Sequence, residues 1–414
     1  MTNEKRFPKW LIALSITQAG ALLVFMSFAG ALPLLQKDWQ LSHAQAGSIQ
    51  AAGQVGYLVA VLVISSLTDY MDSKILIVGG ALWAGFWNLM FAFTASNTLT
   101  AVIFRAMIGF GIAGIYMPGV KLISQKIDPV QRGRALGFYV ASFSLGSAMA
   151  IALGGNLSSM IGWRNAFGLI SIGPFLGAGV AFYLLPKGGK PETSEDEKRP
   201  LSDLLKNKPA LLVNLIYICH AWEVLGLRSW LPAFLTQVRV TAGASLESAT
   251  QMGSGMAGIA TIVAAAGTAT VAAVSDRVGR SRTIQIVMAA SFIFTLFLGT
   301  ALTYSWIIVI TITFIVSFLT NADSAVISAT LTETVPADYL GRALAVYSFL
   351  GFGAGSISPL VFGSMLDYFT QAASLPWAGE GTAWILAFAS LAAASVIGLA
   401  SATALKRQND SAQI

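Results

Sequence analysis

Within ICHAWEVLGLRSWLPAFL, residues 218 to 235, an imidazole, a carboxyl and a guanidinium interrupt an apolar run. His220 suits proton relay, because an unperturbed imidazole titrates near pH ~6.5. Glu223 suits proton loading, since a carboxyl that alternates between apolar surroundings and a neighbouring cation can take up and release a proton. Arg228 suits an anion, because a guanidinium grips a carboxylate, sulfonate or phosphate through two parallel hydrogen bonds. On a helix turning about 100° per residue, the three fall within an arc of roughly 140°, with Asn214 and Tyr217 on or near it. The competing expectation is a permanent ion pair of Glu223 with Arg228 or Arg105 that only holds the helix in place.

These groups stand in a chain whose solvent is lipid. Of 414 residues, 55% are apolar and only 11% charged, with a mean hydropathy of +0.70. A soluble chain carries about 25% charged residues. An ionised group at the centre of a membrane helix costs roughly 2.5–3.5 kcal/mol, so a polar stripe there should face a wet cavity. The single cysteine, Cys219, and the two histidines, His43 and His220, argue against a disulfide, a metal site or a resident cofactor. No nucleotide-binding loop or nucleophile–base–acid set is visible, and an enzyme is not expected.

Hydropathy divides the chain into twelve expected membrane helices. The first runs from about 10 to 32, too long for a signal-peptide core, and the last from about 381 to 405. The expected fold is an all-α polytopic membrane protein, its twelve helices in two pseudo-symmetric six-helix bundles. The bundles span 1–185 and 209–405, joined by a charged cytoplasmic linker at 186–208 and followed by a cytoplasmic tail at 406–414. A short surface helix is expected around Leu201–Lys206. With the N-terminus inside, nineteen of the 25 Lys and Arg residues fall in cytoplasmic segments and three in outer ones, a strong positive-inside bias. That bias explains the net charge of +6 without a nucleic-acid partner. The halves also repeat. GRAL occurs at 133–136 and at 341–344, and TDYMDSK from Thr68 aligns with SDRVGRSR from Ser275. Parallel repeats of this kind are a transporter pattern.

These motifs resemble the major facilitator superfamily over essentially the whole chain. AAVSDRVGRSR at 272–282 is similar to the family's loop between helices two and three of a bundle. The first-half copy, SSLTDYMDSK at 65–74, keeps Asp69 but has Tyr70 and Asp72 where Arg and Gly are expected. RAMIGFG from Arg105 resembles the fourth-helix motif, and GWRNAF at 162–167 the entry to helix six. The resemblance implies alternating access around a central cavity lined by helices one, four, seven and ten. On those helices the substrate candidates are Gln18, Arg105, Tyr116, Tyr217, Arg228, Trp230 and Asn321. The proton-coupling candidates are Glu223, Asp323 and His220. A cytoplasmic gate would join Asp69 to Arg132 or Arg134 and Asp276 to Arg342, with Arg277 and Arg280 in the same loop. Lys121 reads better as a lysine snorkelling to the interface.

Gly137, Gly146, Gly154 and Gly155 match the spacing of a helix-five signature of drug exporters, but Ala150-Ile151 replaces its Gly-Pro pair. The expected function is therefore a secondary transporter, proton-coupled and carrying a small organic anion such as a carboxylate inward. The alternative is a proton-driven antiporter exporting drugs or metabolites. Expected partners are an anionic small molecule, protons and the lipid bilayer of a cell membrane, the bacterial inner membrane, around a functional monomer with both termini cytoplasmic.

Overall fold

A computed structural model describes residues 7–68, 70–188, 207–336, 340–371 and 379–412, and among them there is no strand. Twelve helices there are long and apolar enough to cross a membrane. They are α1 Lys9–Trp39, α2 His43–Leu67, α3 Ser73–Thr94, α4 Thr98–Lys126, α5 Pro129–Ile161 and α6 Trp163–Leu184, then α7 Lys208–Thr241, α8 Leu246–Val278, α9 Arg280–Thr303, α10 Trp306–Thr334, α11 Leu340–Gln371 and α12 Glu380–Gln408. Lipid offers no partner for backbone N–H and C=O groups, so each apolar run must satisfy its own as a helix. The helices outrun the hydropathy windows because hydrogen bonding continues past the apolar core into the interface. The linker beyond Gly188, with its expected helix around Leu201–Lys206, lies outside the described residues.

Helix ends follow local chemistry. Asn97 caps α4 in a reciprocal arrangement with Thr100, a geometry that satisfies two orphan donors. Asp72 caps α3 through the backbone N–H of Lys74, and the same carboxylate oxygen accepts from the N–H of Gly188. The aspartate that departs from the family motif therefore anchors the chain leaving α6. Gly279 turns α8 into α9 with φ 92°, a conformation open to glycine and few other residues.

The residues form two compact units. The first contains α1, α2 from Ala52 onward, α3 to α6, and Leu246–Gly258 of α8. Here α1 lies directly on α5. A Cβ at Gly30 would stand 2.0 Å from the Ile151 carbonyl oxygen, and one at Gly154 would stand 2.2 Å from that of Ser27. Small residues allow this approach, which in lipid replaces the hydrophobic drive as the source of association. The second unit contains Leu41–Ala51, α7, α8 from Ile259, and α9 to α12. Asp367 on α11 accepts from the backbone N–H groups of His43 and Ala44 and lies 2.8 Å from the His43 Nδ1. This bond set fastens the first turn of α2 into the second unit.

Two spans are jointed. α6 changes direction at Ser171, whose hydroxyl receives the Asn88 amide. α10 breaks into Trp306–Ala322 and Ser324–Thr334, with Asp323 at the joint. Irregular backbone at membrane depth is tolerated only where protein buries it or a cavity hydrates it.

Candidate functional site

In the first unit, the polar candidates gather where α1, α4 and α5 meet. Gln18 is 2% exposed, donates its amide to the Tyr139 carbonyl, and keeps a buried Oε1 with no protein partner. It lines a cavity of about 10 Å³ together with Tyr116 and Phe143, the scale of one water molecule. Tyr116 stacks on Tyr139 with ring centroids 5.8 Å apart. Gln18 and Tyr116 are thus brought together, but Arg105 is not. Its guanidinium is buried against α1, donating to the carbonyls of Val24 and Phe25 and lying over the rings of Phe25 and Phe28. Arg105 spends its charge on backbone dipoles and aromatic faces.

In the second unit, α7 distributes its polar residues among different neighbours. His220 Nδ1 lies 2.8 Å from Asp323 Oδ1, with both side chains at most 7% exposed. The joint in α10 presents this carboxylate, and the Asn321 carbonyl beside it accepts the Thr268 hydroxyl from α8. Tyr217 stacks on His220 on one side and on Tyr347 of α11 on the other, at 5.8 and 3.6 Å. Tyr347 in turn meets the Ser328 hydroxyl at 3.1 Å. A continuous polar and aromatic chain therefore links α7, α10 and α11.

Glu223 turns elsewhere. Ser291 and Thr295 of α9 donate to its Oε1, and Ser395 of α12 donates to Oε2. The expected ion pair with Arg228 or Arg105 is replaced by three hydroxyls. The expectation that one arc of α7 faces one cavity also needs correction. An arc of roughly 140° on a helix packed among several others reaches more than one neighbour. His220 thus meets α10, while Glu223, three residues on, meets α9 and α12. Arg228 is half-buried, and no described residue accepts a hydrogen bond from it or pairs with it. Asn321 is half-buried beside Thr320.

Trp230 is a core residue. It is fully buried, donates to the Pro359 carbonyl, and stacks on Phe362 within a cluster that includes Phe234, Trp384 and Phe388. A ring closed on every side by other rings leaves no face for a substrate.

Of the gate candidates, Asp69 lies outside the described residues. Arg134 sits over Phe7, and the Arg132 Nε is buried without a partner. Arg277 is exposed, and Arg342 is half-buried in the first turn of α11. Asp276 pairs at 2.6 Å with Arg280, rather than with Arg342 as expected, and Arg280 also reaches Glu333 and Ser275. Arg280 is four residues on from Asp276, and the glycine turn at 279 lies between them where α8 gives way to α9. Lys121 donates to the Thr68 carbonyl at the end of α2.

Sequence reasoning missed Tyr347, Ser328, Ser291, Thr295, Ser395 and the Asp367 cap. One signal was present: Ser291 and Thr295 stand four apart in an apolar span, a spacing that places both on one helix face.

Three of the helix-five glycines have a packing role, since Gly146 and Gly154 sit against the α1 backbone and Gly155 against the Gly30 carbonyl and Ser254, while a Cβ at Gly137 would meet nothing within 4 Å. The comparisons with known proteins agree with this architecture. The 3-(3-hydroxy-phenyl)propionate transporter of Escherichia coli (strain K12) is 25% identical over 376 residues, covering 88% of this chain and 86% of that protein. The chloroplastic ascorbate transporter of Arabidopsis thaliana is 28% identical over 260 residues, or 56% of this chain, which spans about half (47%) of that relative's length. A crystal structure of a bacterial homologue of the human lysosomal transporter Spinster, inward-facing and occupied, shares the fold with a TM-score of 0.76. Its identity is 19%, with 96% of each chain covered. The model of the Major Facilitator Superfamily matches residues 14–263. Twelve membrane helices in two pseudo-symmetric bundles and a match over more than half the sequence lead to one assignment: the chain belongs to the Major Facilitator Superfamily.

Proposed function

We propose that this multi-pass membrane protein is a secondary transporter that carries a small organic anion by alternating access, driven by protons, with both termini cytoplasmic. The observation that carries the reading is the state of Arg228. Arg105 and Lys121, two further cations of the spans, are bound to backbone carbonyls. Arg228 has no acceptor among the described residues, and its guanidinium remains available for a carboxylate. The relatives support the same substrate class, being named for 3-(3-hydroxy-phenyl)propionate and ascorbate, both organic anions at neutral pH.

The buried His220–Asp323 pair supports proton coupling. A proton shared between an imidazole and a carboxylate at a helix joint can be handed on when the joint moves, and intramembrane acids and histidines commonly mark such relays. Tyr217 lies between this pair and Tyr347, while Gln18 and Tyr116 offer polar contacts in the first unit. Export of drugs has less support, because Ala150-Ile151 replaces the Gly-Pro pair of its signature and three of the four matching glycines, Gly146, Gly154 and Gly155, pack against α1.

Uptake of a panel of carboxylates and sulfonates into proteoliposomes, with and without an imposed pH gradient, tests the reading. Accumulation of a carboxylate that follows the proton gradient is the expected result. Flux indifferent to that gradient removes the proton, and recognition of cationic drugs alone removes the anion.

A further inference from the structure

The hydroxyls around Glu223 have no part in the proposed anion path. Ser291, Thr295 and Ser395 place their oxygens 2.7, 2.8 and 2.8 Å from the carboxylate, two at Oε1 and one at Oε2. All four residues are at most 5% exposed. They come from α7, α9 and α12, so the cage exists only when those three helices are packed. Among the described residues, no lysine, arginine or histidine pairs with Glu223.

A buried carboxylate is costly unless its charge is met. Hydroxyl dipoles solvate it but carry no net charge. Many other serines and threonines in these helices donate to the carbonyl four residues back, as Thr236 does to Pro232 and Ser401 to Ile397. The three around Glu223 direct their protons to the carboxylate instead. Each oxygen, like that of any donating hydroxyl, keeps its lone pairs for another partner, and here it does so beside a formal negative charge. The result is a set of hard oxygen donors with one formal negative charge and no nitrogen or sulfur ligand. Hard cations choose such oxygens, and a single negative charge balances a monovalent one. The three hydroxyls occupy three of the four lone-pair sites of the carboxylate, and a proton competes with a metal cation for the fourth.

We propose that Glu223, Ser291, Thr295 and Ser395 form a binding site for a monovalent cation, and that the ion is sodium. The site is separate from the His220–Asp323 pair and does not rest on the proton reading.

The test uses the full chain purified in detergent, with thermal unfolding followed in sodium, potassium or choline chloride at fixed pH and ionic strength. Radioactive sodium binding is measured alongside. The expected result is saturable stabilisation by sodium alone, as linkage requires of an ion that binds the folded form. Glu223→Gln should weaken apparent sodium affinity by about tenfold or more, the scale seen even for outer-shell changes at metal sites. Thr295→Val and Ser395→Ala keep the carboxylate and should each weaken it too, which covers the case of Glu223→Gln failing to fold. Equal stability of the wild type in sodium and choline, or stability that follows pH alone, overturns the site. His220→Gln should keep the sodium response even where proton-driven uptake is lost, so failure of one reading is separable from failure of the other.

Discussion

His220 Nδ1 and Asp323 Oδ1 stand 2.8 Å apart at the point where α10 ceases to be one continuous helix. The pair therefore joins the middle of α7 to the joint of α10, and a change in its protonation acts on both. Asp323→Asn retains the shape and most hydrogen bonding but cannot ionise. It should abolish accumulation driven by a pH gradient while exchange of substrate between equal pools continues. Equal loss of both activities would make the pair a structural bond only.

The proposed anion contact makes a separate prediction. Arg228→Lys keeps the charge and loses the planar fork. A charge-assisted hydrogen bond contributes about 1.5–3 kcal/mol, so apparent substrate affinity should fall by about tenfold to a hundredfold. Thermal stability should hardly change, since Arg228 makes no hydrogen bond or ion pair with a described residue. Concentration-dependent uptake and a melting curve on the same preparation check both halves.

Arg105 should behave in the opposite way. Its two bonds to the Val24 and Phe25 carbonyls tie α4 to α1, and truncation to Ala removes both charge-assisted bonds and leaves a cavity beside Phe25 and Phe28. Arg105→Ala should cost about 3 kcal/mol or more in stability, and Arg105→Lys should recover only part of it. The melting temperature measured without substrate is the readout. Substrate-dependent effects with an unchanged melting temperature would return Arg105 to the binding site.

The difference between these two arginines was not legible in the sequence. Both sit in apolar spans and both answer to the same chemistry of anion recognition. What separates them is which groups lie across the helix interface, and a single helix's periodicity carries no information about its neighbours. The same blindness merged His220 and Glu223 into one stripe, although the roughly 60° between them on the helix is enough to give them different partners. Trp230 was offered as a substrate contact for the same reason, before its aromatic cage was visible. The twelve spans were legible because lipid enforces them residue by residue, through composition alone. The joint at Asp323 was not, since no glycine or proline lies beside it to announce a break. The SDRVGRSR motif falls at the turn between α8 and α9, as its likeness to the family loop implied, but the partner of Asp276 depended on the backbone path through Gly279.

That turn yields a last prediction. Asp276 and Arg280 are 64% and 27% exposed, so their ion pair is worth at most about 1 kcal/mol. Asp276→Asn should therefore leave expression and melting temperature nearly intact. Gly279 stands differently. Its φ of 92° is strained for any residue with a Cβ, at a cost of order 1–3 kcal/mol, and it alone directs Arg280 back toward Asp276, Ser275 and Glu333. Gly279→Ala should lower stability by that amount and also disperse the cluster that Asp276→Asn only weakens. If the cluster serves as a cytoplasmic clasp, both variants slow uptake, the glycine variant more, and Glu333→Gln slows it as well. Normal uptake rates in Asp276→Asn and Glu333→Gln, with a melting loss confined to Gly279→Ala, would reduce the cluster to a means of shaping the turn between α8 and α9.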